Sequence, residues 1–316
     1  MLYRDGPDRS LDRPAHVRAG SGLSWIGDRL VLVQDDANFV AVVDPATGFA
    51  ESITLPAGEA GLRQFDDQRG NKKFKLDLEA CCGLLGPAGP LLIALGSGSK
   101  KRRRQVAIVD EWTRAAPRAD PRVTLVAADD LYRSLERASD FAGSDMNIEG
   151  VLALRSTVRL FGRGNGAPHR GLVPLNATCD LSITALLAYL GGTDAQPAPT
   201  PALITQYDLG SLDGLALGFT DAALCDGTVF YAAAAEDSSN SADDGRVSGS
   251  VLGVIPARRA PRYAVLGDVA GAALREKVEG VAPVPGAPDR LFVAIDADDA
   301  ARPSELCEVR LEGPWT

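Results

Sequence analysis

The chain has 316 residues, 45 % of them hydrophobic, with 33 basic and 42 acidic side chains and a net charge of −9. That is enough apolar material for one large core, and the acidic balance argues against a general nucleic-acid role. No stretch approaches the ~18 apolar residues of a membrane span, and residues 1–8 lack the apolar centre of a signal peptide, so a cytoplasmic location is expected.

Taken in chain order, the predicted elements repeat. Ser21-Gly22-Leu23 opens a first apolar strand, Arg29–Val33 runs into Gln34, Asp35 and Asp36, and Phe39–Asp44 and Ser52–Leu55 follow. Glu79 opens the next unit, with Leu91–Leu95 running into Gly96–Ser99, then Gln105–Asp110 and Arg122–Val126. After Glu149 come Val158–Phe161 running into Gly162–Asn165, then Gly171–Leu175 and Ala202–Leu209. After Asp221 come Val229–Ala233 leading to Glu236, then Ser250–Ile255 and Arg262–Leu266. Glu279 opens the last unit, with Leu291–Ile295 leading to Asp296–Asp299, then Glu305–Leu311. Short β-rich runs bounded by Gly, Asp, Asn and Pro are strand signals. Residues 127–138 have helical composition, and Asp180 reads as the N-cap of a helix ending at Leu190.

The anchors Ser21, Glu79, Glu149, Asp221 and Glu279 lie 58, 70, 72 and 58 residues apart. Four of them sit in one pattern, a carboxylate followed by Gly or Ala: Glu79-Ala80, Glu149-Gly150, Asp221-Ala222 and Glu279-Gly280. A whole unit repeating at such a period predicts a solenoid or propeller, and blades are four-stranded sheets around a channel. The reading is an all-β chain forming a single propeller domain over residues 1–316. Five blades are expected at about 21–56, 75–127, 145–209, 217–267 and 275–312. The fifth lacks an outer strand, which Pro14–Arg18 is expected to supply, closing the ring with an N-terminal strand. A sixth blade inside the long third unit is the alternative.

Blade geometry brings the inner-strand starts and the loops after the second strands to one face of the disc. Glu79, Glu149, Asp221 and Glu279 are therefore expected around one channel mouth. Residues two before an acid share its side of the strand, which adds Asp77, Asn147 and Lys277. Asp35, Ser97, Arg163, Asn165, Glu236 and Asp296 are expected around the rim. Gathered carboxylates repel unless something neutralises them. Ca²⁺, which accepts about six to eight oxygen ligands, is the expected cofactor, held by Glu79, Glu149, Asp221 and Glu279. Lys277 and Arg163 offer a second route, pairing with the acids or gripping an anionic substrate. The plainer reading is that the acids only tie blades together by accepting backbone N–H bonds.

Other features are weighed more briefly. Ser97 and Ser99 in Gly96–Ser99 are candidate binding residues, with backbone donors suited to a phosphate, while the basic run Lys100–Arg104 reads as a solvated turn. The five cysteines include no Cys-x-x-Cys pair and read as small buried thiols. Only His16 and His169 are available as bases for a thiol: His16 sits in the expected closing strand and reads as structural, and His169 in the glycine-rich turn 162–171 reads as a solvated loop residue, with a place facing the site as the alternative. Asp243 and Asp244, in a polar turn, give a weak calcium signal. There is no Walker A loop, Rossmann glycine pattern or nucleophile elbow.

Several blocks in order carry a resemblance: Asn147–Gly150, Gly162–Asn165, Gly218–Ala222, Ala234–Asp237, Asp244-Gly245 with Gly249-Ser250, Lys277–Gly280 and Asp296–Asp299. With them the chain resembles a bacterial family of uncharacterised propeller proteins, over most of its length. More distantly, the inner-strand Glu-Gly pattern is similar to esterase-like phytase domains, and the channel acids to calcium-dependent gluconolactonase-like propellers. That resemblance implies metal-assisted hydrolysis, although Ser21 stands where the first unit would need an acid. The expected function is a calcium-dependent hydrolase of esters, lactones or phosphoesters, with Glu236 or Glu149 as general base and Arg163 and Lys277 stabilising the developing anion. A non-catalytic ligand- or protein-binding propeller is the alternative. A glycosidase using paired carboxylates comes third, since Trp25, Trp112 and Trp315 give no evident sugar platform. In each case the expected partner is a small molecule at the central channel.

Overall fold

Five small sheets stand around one axis in the computed structural model, which describes residues 1–112, 121–192, 196–237, 245–257 and 259–315. Asp243 and Asp244 lie outside the described residues. Blade 1 runs outward through Gly20–Ile26, Arg29–Gln34, Phe39–Val43 and Phe49–Thr54. Blade 2 uses Leu78–Gly86, Gly89–Gly96, Gln105–Asp110 and Arg122–Ala127. Blade 3 uses Ile148–Ala153, Thr157–Gly162, Asn176–Ser182 and Ala202–Tyr207. Blade 4 uses Leu215–Cys225, Thr228–Asp237, Arg246–Ile255 and Arg262–Val265, with the short Ser211–Leu212 beside its inner strand. Blade 5 has three strands, Lys277–Val284, Ala287–Asp296 and Glu305–Arg310. The protein is a five-bladed propeller, and the described part of the long third unit holds one sheet and one helix, Ile183–Leu190, not a sixth blade.

Sequence explains which strands sit inside. Second strands are covered on both sheet faces by neighbouring blades, so they read as continuous apolar runs: Leu30–Val33, Leu91–Leu95 and Leu291–Ile295 are buried throughout. Each such Leu or Ile contributes about 1.5–3 kcal/mol on burial. The outer strand Arg262–Val265 is exposed along its whole length. Helix Asp129–Arg137 drops Leu131, Tyr132 and Leu135 into the core shared by blades 2 and 3.

Two local expectations change. The third strand of blade 3 is Asn176–Ser182, not residues 171–175, and the helix that follows spans Ile183–Leu190. Its N-cap is Ser182, whose Oγ accepts from Ala185 N–H at 3.4 Å. Asp180 stays in the strand because Arg159, directly opposite, grips its carboxylate at 2.6 and 3.0 Å. A cross-strand ion pair outcompetes the capping role.

The N-terminal segment closes the ring, but by a single rung. Val17 O accepts from Ser304 N–H at 2.8 Å, and the Met1 amine donates to Ser304 O. Residues 14–18 do not ladder along Glu305–Arg310, and Leu2–Tyr3 instead pairs in parallel with the outer strand of blade 1. Met1, Tyr3 and Val17 are buried in the core between blades 1 and 5, with Leu32, Ala282 and Ala294. Apolar packing thus does at the seam what a fourth strand was expected to do.

Candidate functional site at the channel mouth

Every inner strand carries one extra residue relative to its neighbour. The register shifts leave Glu79, Glu149, Thr220 and Glu279 without an opposite partner, and the shift in blade 1 falls between Gly20 and Leu23, at Ser21. A bulge re-aims its extra side chain, and Ser21, Glu79, Glu149 and Glu279 line the channel mouth. Thr220 donates to Val278 O at 2.6 Å.

Asp221 corrects the sequence reading. The register shift in blade 4 puts Thr220 at the level of the glutamates, so Asp221 falls at the level of Ala80, Gly150 and Gly280. Fully buried, its Oδ2 accepts from Val281 N–H at 2.8 Å and Leu23 N–H at 3.3 Å, spanning from blade 4 to blades 5 and 1. It does not line the mouth. Burial pushes its carboxyl well up, against the backbone N–H groups that favour the charge.

At the mouth, eight carboxylates meet four cations, Lys75, Arg103, Arg163 and Lys277, all four buried. Lys75 Nζ sits at 2.6 Å from Asp35, 2.9 Å from Asp36 and 2.8 Å from Asp77. Arg103 approaches Asp77 at 3.0 Å. Arg163 joins Glu236 at 2.5 Å and Glu149 at 3.4 Å, and Lys277 joins Glu279 at 2.5 Å and Glu236 at 3.5 Å. Room for Arg163 comes from Gly218, where a Cβ would lie 2.8 Å from its Cγ. Glu79 accepts from Ser21 Oγ at 2.9 Å, and Glu149 from Asn147 Nδ2 at 2.5 Å.

The remaining expected residues divide. Asp35, Asn165, Glu236 and Asp296 line the same mouth. Ser97 and Ser99 stand behind it: Ser97 Oγ donates to Asp77, and Ser99 Oγ accepts from Arg103 Nη1 at 3.0 Å. The basic run is therefore not wholly solvated, because Arg103 turns inward. Lys75 and Arg103 are the functional-site residues that the sequence reading missed. A signal existed for Lys75, since Lys75, Asp77 and Glu79 alternate in the sequence as residues of one strand face would, although the strand itself begins at Leu78. Trp25 bonds Pro283 O, and none of the three tryptophans lines the mouth. His169 is exposed and His16 contacts Ala300 O at 3.2 Å, both away from the mouth. The thiols of Cys81, Cys82 and Cys179 are pushed up by burial.

Electrostatics splits the carboxylates. Burial would raise Glu236, but Lys277, Arg163 and the Gly245 N–H (2.6 Å) outweigh it and hold that carboxyl below its usual value. Burial pushes Glu279 up to about 8 despite Lys277, and its Oε2 has no hydrogen-bond partner. Asp296 rises to about 7 through burial and the charges of Asp35 and Asp298, while Ser304 Oγ donates to it at 3.1 Å. The free volume of the mouth is about 40 Å³, space for about three waters or one small polar group. An adjoining cleft of about 190 Å³ shares Ala19, Asp35, Asp296 and Asp298 with it.

A calcium ion would need several of these oxygens to converge on one point. Among the described residues, one group of acids brings its oxygens within 4.8 Å of one another: Asp35, Asp77 and Glu79. Their chemistry suits a hard cation, but the Lys75 ammonium already occupies the space between Asp35 and Asp77. The expected set of Glu79, Glu149, Asp221 and Glu279 does not fit, because Asp221 lies one level deeper on backbone N–H groups.

A family model matches residues 16–311, described as a family of unknown function, DUF6929. The chain belongs to that family. No curated protein matches it in sequence. Among solved structures, the chain is similar to a PQQ-bound aldose sugar dehydrogenase from Streptomyces coelicolor, at 13 % identity over 94 % of this chain and 95 % of that one, with a TM-score of 0.40. An alpha-L-arabinanase from Cellvibrio cellulosa gives 14 % identity over 94 % and 92 %, with a TM-score of 0.48. The PQQ domain of a pyranose dehydrogenase from Coprinopsis cinerea gives 12 % over 94 % and 84 %, with a TM-score of 0.38. Likeness at this level carries no argument about substrate or mechanism.

Proposed function

We propose that the channel mouth is an acid–base hydrolytic centre acting on an ester, lactone or phosphoester. The observation that carries this reading is the split between neighbouring carboxylates around Lys277: Glu236 is held ionised and Glu279, a mouth residue with one buried oxygen that has no hydrogen-bond partner, is held protonated at neutral pH. Environments that push carboxyl pKa values apart assign acid and base roles. Glu279 is the proton donor to the leaving oxygen. Asp296, at about 7 and on the rim shared with the cleft, is the base that takes a proton from water, since a general base works best near the operating pH. Arg163 and Lys277 are placed to stabilise negative charge developing on the substrate oxygen, with Glu236 fixing both. The volume supports a substrate that offers one functional group to the mouth while its remainder lies in the cleft, and disfavours enclosing a sugar ring as a glycosidase would.

A metal-assisted version of the same chemistry rests on Asp35, Asp77 and Glu79 and requires Lys75 to move away. No step of the mechanism is routed through it. A screen of lactones, esters and phosphoesters with and without Ca²⁺ tests both readings. The expected profile for an active substrate is bell-shaped, rising as Asp296 loses its proton near pH 7 and falling as Glu279 loses its own near pH 8. Glu279→Gln should abolish turnover and Asp296→Asn should remove the rising limb. Activity unchanged in both variants would remove Glu279 and Asp296 as acid and base, and a wild type that turns over no substrate of the screen would leave a non-catalytic ligand pocket as the better account.

A further inference from the structure

Blade 5 leaves a strand edge open. Among the described residues, its third strand, Glu305–Arg310, pairs only with Ala287–Asp296, whereas blades 1 to 4 each carry a further strand at this position. Leu311 N–H donates inward to Asp289 O at 2.8 Å. Antiparallel ladders alternate inward and outward residues, so Leu306, Glu308 and Arg310 turn their backbone N–H and C=O groups outward, in phase with Ser304. Among the described residues, Ser304 is the one outward residue already paired, with Val17 and Met1.

We propose that this edge pairs with the same edge of a second copy of the chain, antiparallel and centred on Val309. Only registers that set outward residues against outward residues can form the ladder. Centring on Glu308 would oppose Glu308 to itself, and like charges directly opposite are destabilising. Centring on Val309 sets Glu308, which already meets Arg290 of its own blade at 2.6 Å, against the second copy's Arg310 and Arg310 against its Glu308, so both charge pairs are complementary and each Glu308 lies between two cations. It also meets Val309 with Val309, beside the apolar cluster of Cys307, Leu311 and Trp315. The N-terminal rung at Ser304 lies outside the paired stretch and is undisturbed. The surface is a β-augmentation site whose occupant is read from its own charges.

The test is sedimentation equilibrium of the full chain across a concentration series, with thermal melting as the control for folding. Wild type should show reversible dimers. Glu308→Arg and Arg310→Glu should each weaken dimerisation roughly tenfold or more, since two cross-strand pairs become repulsive. The double variant, with the charges exchanged, should restore it. A wild type that stays monomeric at its highest soluble concentration overturns the proposal, as do single variants that dimerise as well as wild type. Because the exchange also changes what Arg290 meets within blade 5, the deciding measurement is an equimolar mixture of Glu308→Arg and Arg310→Glu chains: heterodimers should form where neither variant dimerises alone, and a mixture that stays monomeric overturns the proposal.

Discussion

At the scale of single residues, the site stands on side chains whose ionisation differs from that of the same groups in water. Glu279 shows the consequence for stability. Its folded pKa of about 8 lies above the unfolded glutamate value of about 4.3, so between those limits the folded state holds more protons than the unfolded one. Stability must then fall as pH rises through that window. The melting temperature is expected to drop between about pH 5 and pH 8.5, and Glu279→Gln should flatten the slope. A slope equal to wild type in that variant would remove Glu279 as its source. Asp221 gives a second residue-level prediction. Asp221→Asn keeps an acceptor for Leu23 and Val281 and should fold with near-native stability. Asp221→Ala leaves two buried N–H groups unpaired, at about 1–3 kcal/mol each, which denaturant unfolding would resolve.

At the scale of elements, the bulged inner strand is the unit that builds both fold and site. The Glu-Gly pattern in the sequence marked the strand start, the bulged acid and the small residue that follows. Gly280 shows why that residue is small: a Cβ there would lie 2.7 Å from Ser21 O and 2.8 Å from Leu23 Cβ. Gly280→Ala should therefore cost about 1–3 kcal/mol, seen as a lower unfolding midpoint. Blade number, strand order and most rim residues were legible because they follow from apolar runs and spacing. Blade 4 was misread by one residue, since Thr220-Asp221-Ala222 satisfies the acid-then-small pattern while the register places Thr220 in the bulge. Hydrogen-bond register is a property of two strands together, and one strand's sequence does not carry it. Arg103 was hidden for a related reason: five successive basic residues look alike, and only the fold selects which one meets Asp77.

At the scale of the whole molecule, ring closure and chemistry share one residue. Ser304 ties the N-terminal segment to blade 5 through its backbone, accepts from Gly20 N–H at 2.9 Å and donates to Asp296. Ser304→Ala should lower stability by about 1–2 kcal/mol and, by removing a bond to the charged carboxylate, raise the Asp296 pKa. The rising limb of any pH–rate profile should move to higher pH in that variant, with the falling limb unmoved. The other consequence of whole-molecule geometry comes from Asp221. Beneath the charged mouth, its carboxylate and the close-packed strand backbones divide the axis. On the far side lies a separate hollow lined by Leu23, Trp25, Leu152 and Val281. The disc is a cul-de-sac, not a conduit: whatever enters the acidic doorway must back out through it, so a bulky molecule resting on that cleft would stop arrival and departure together.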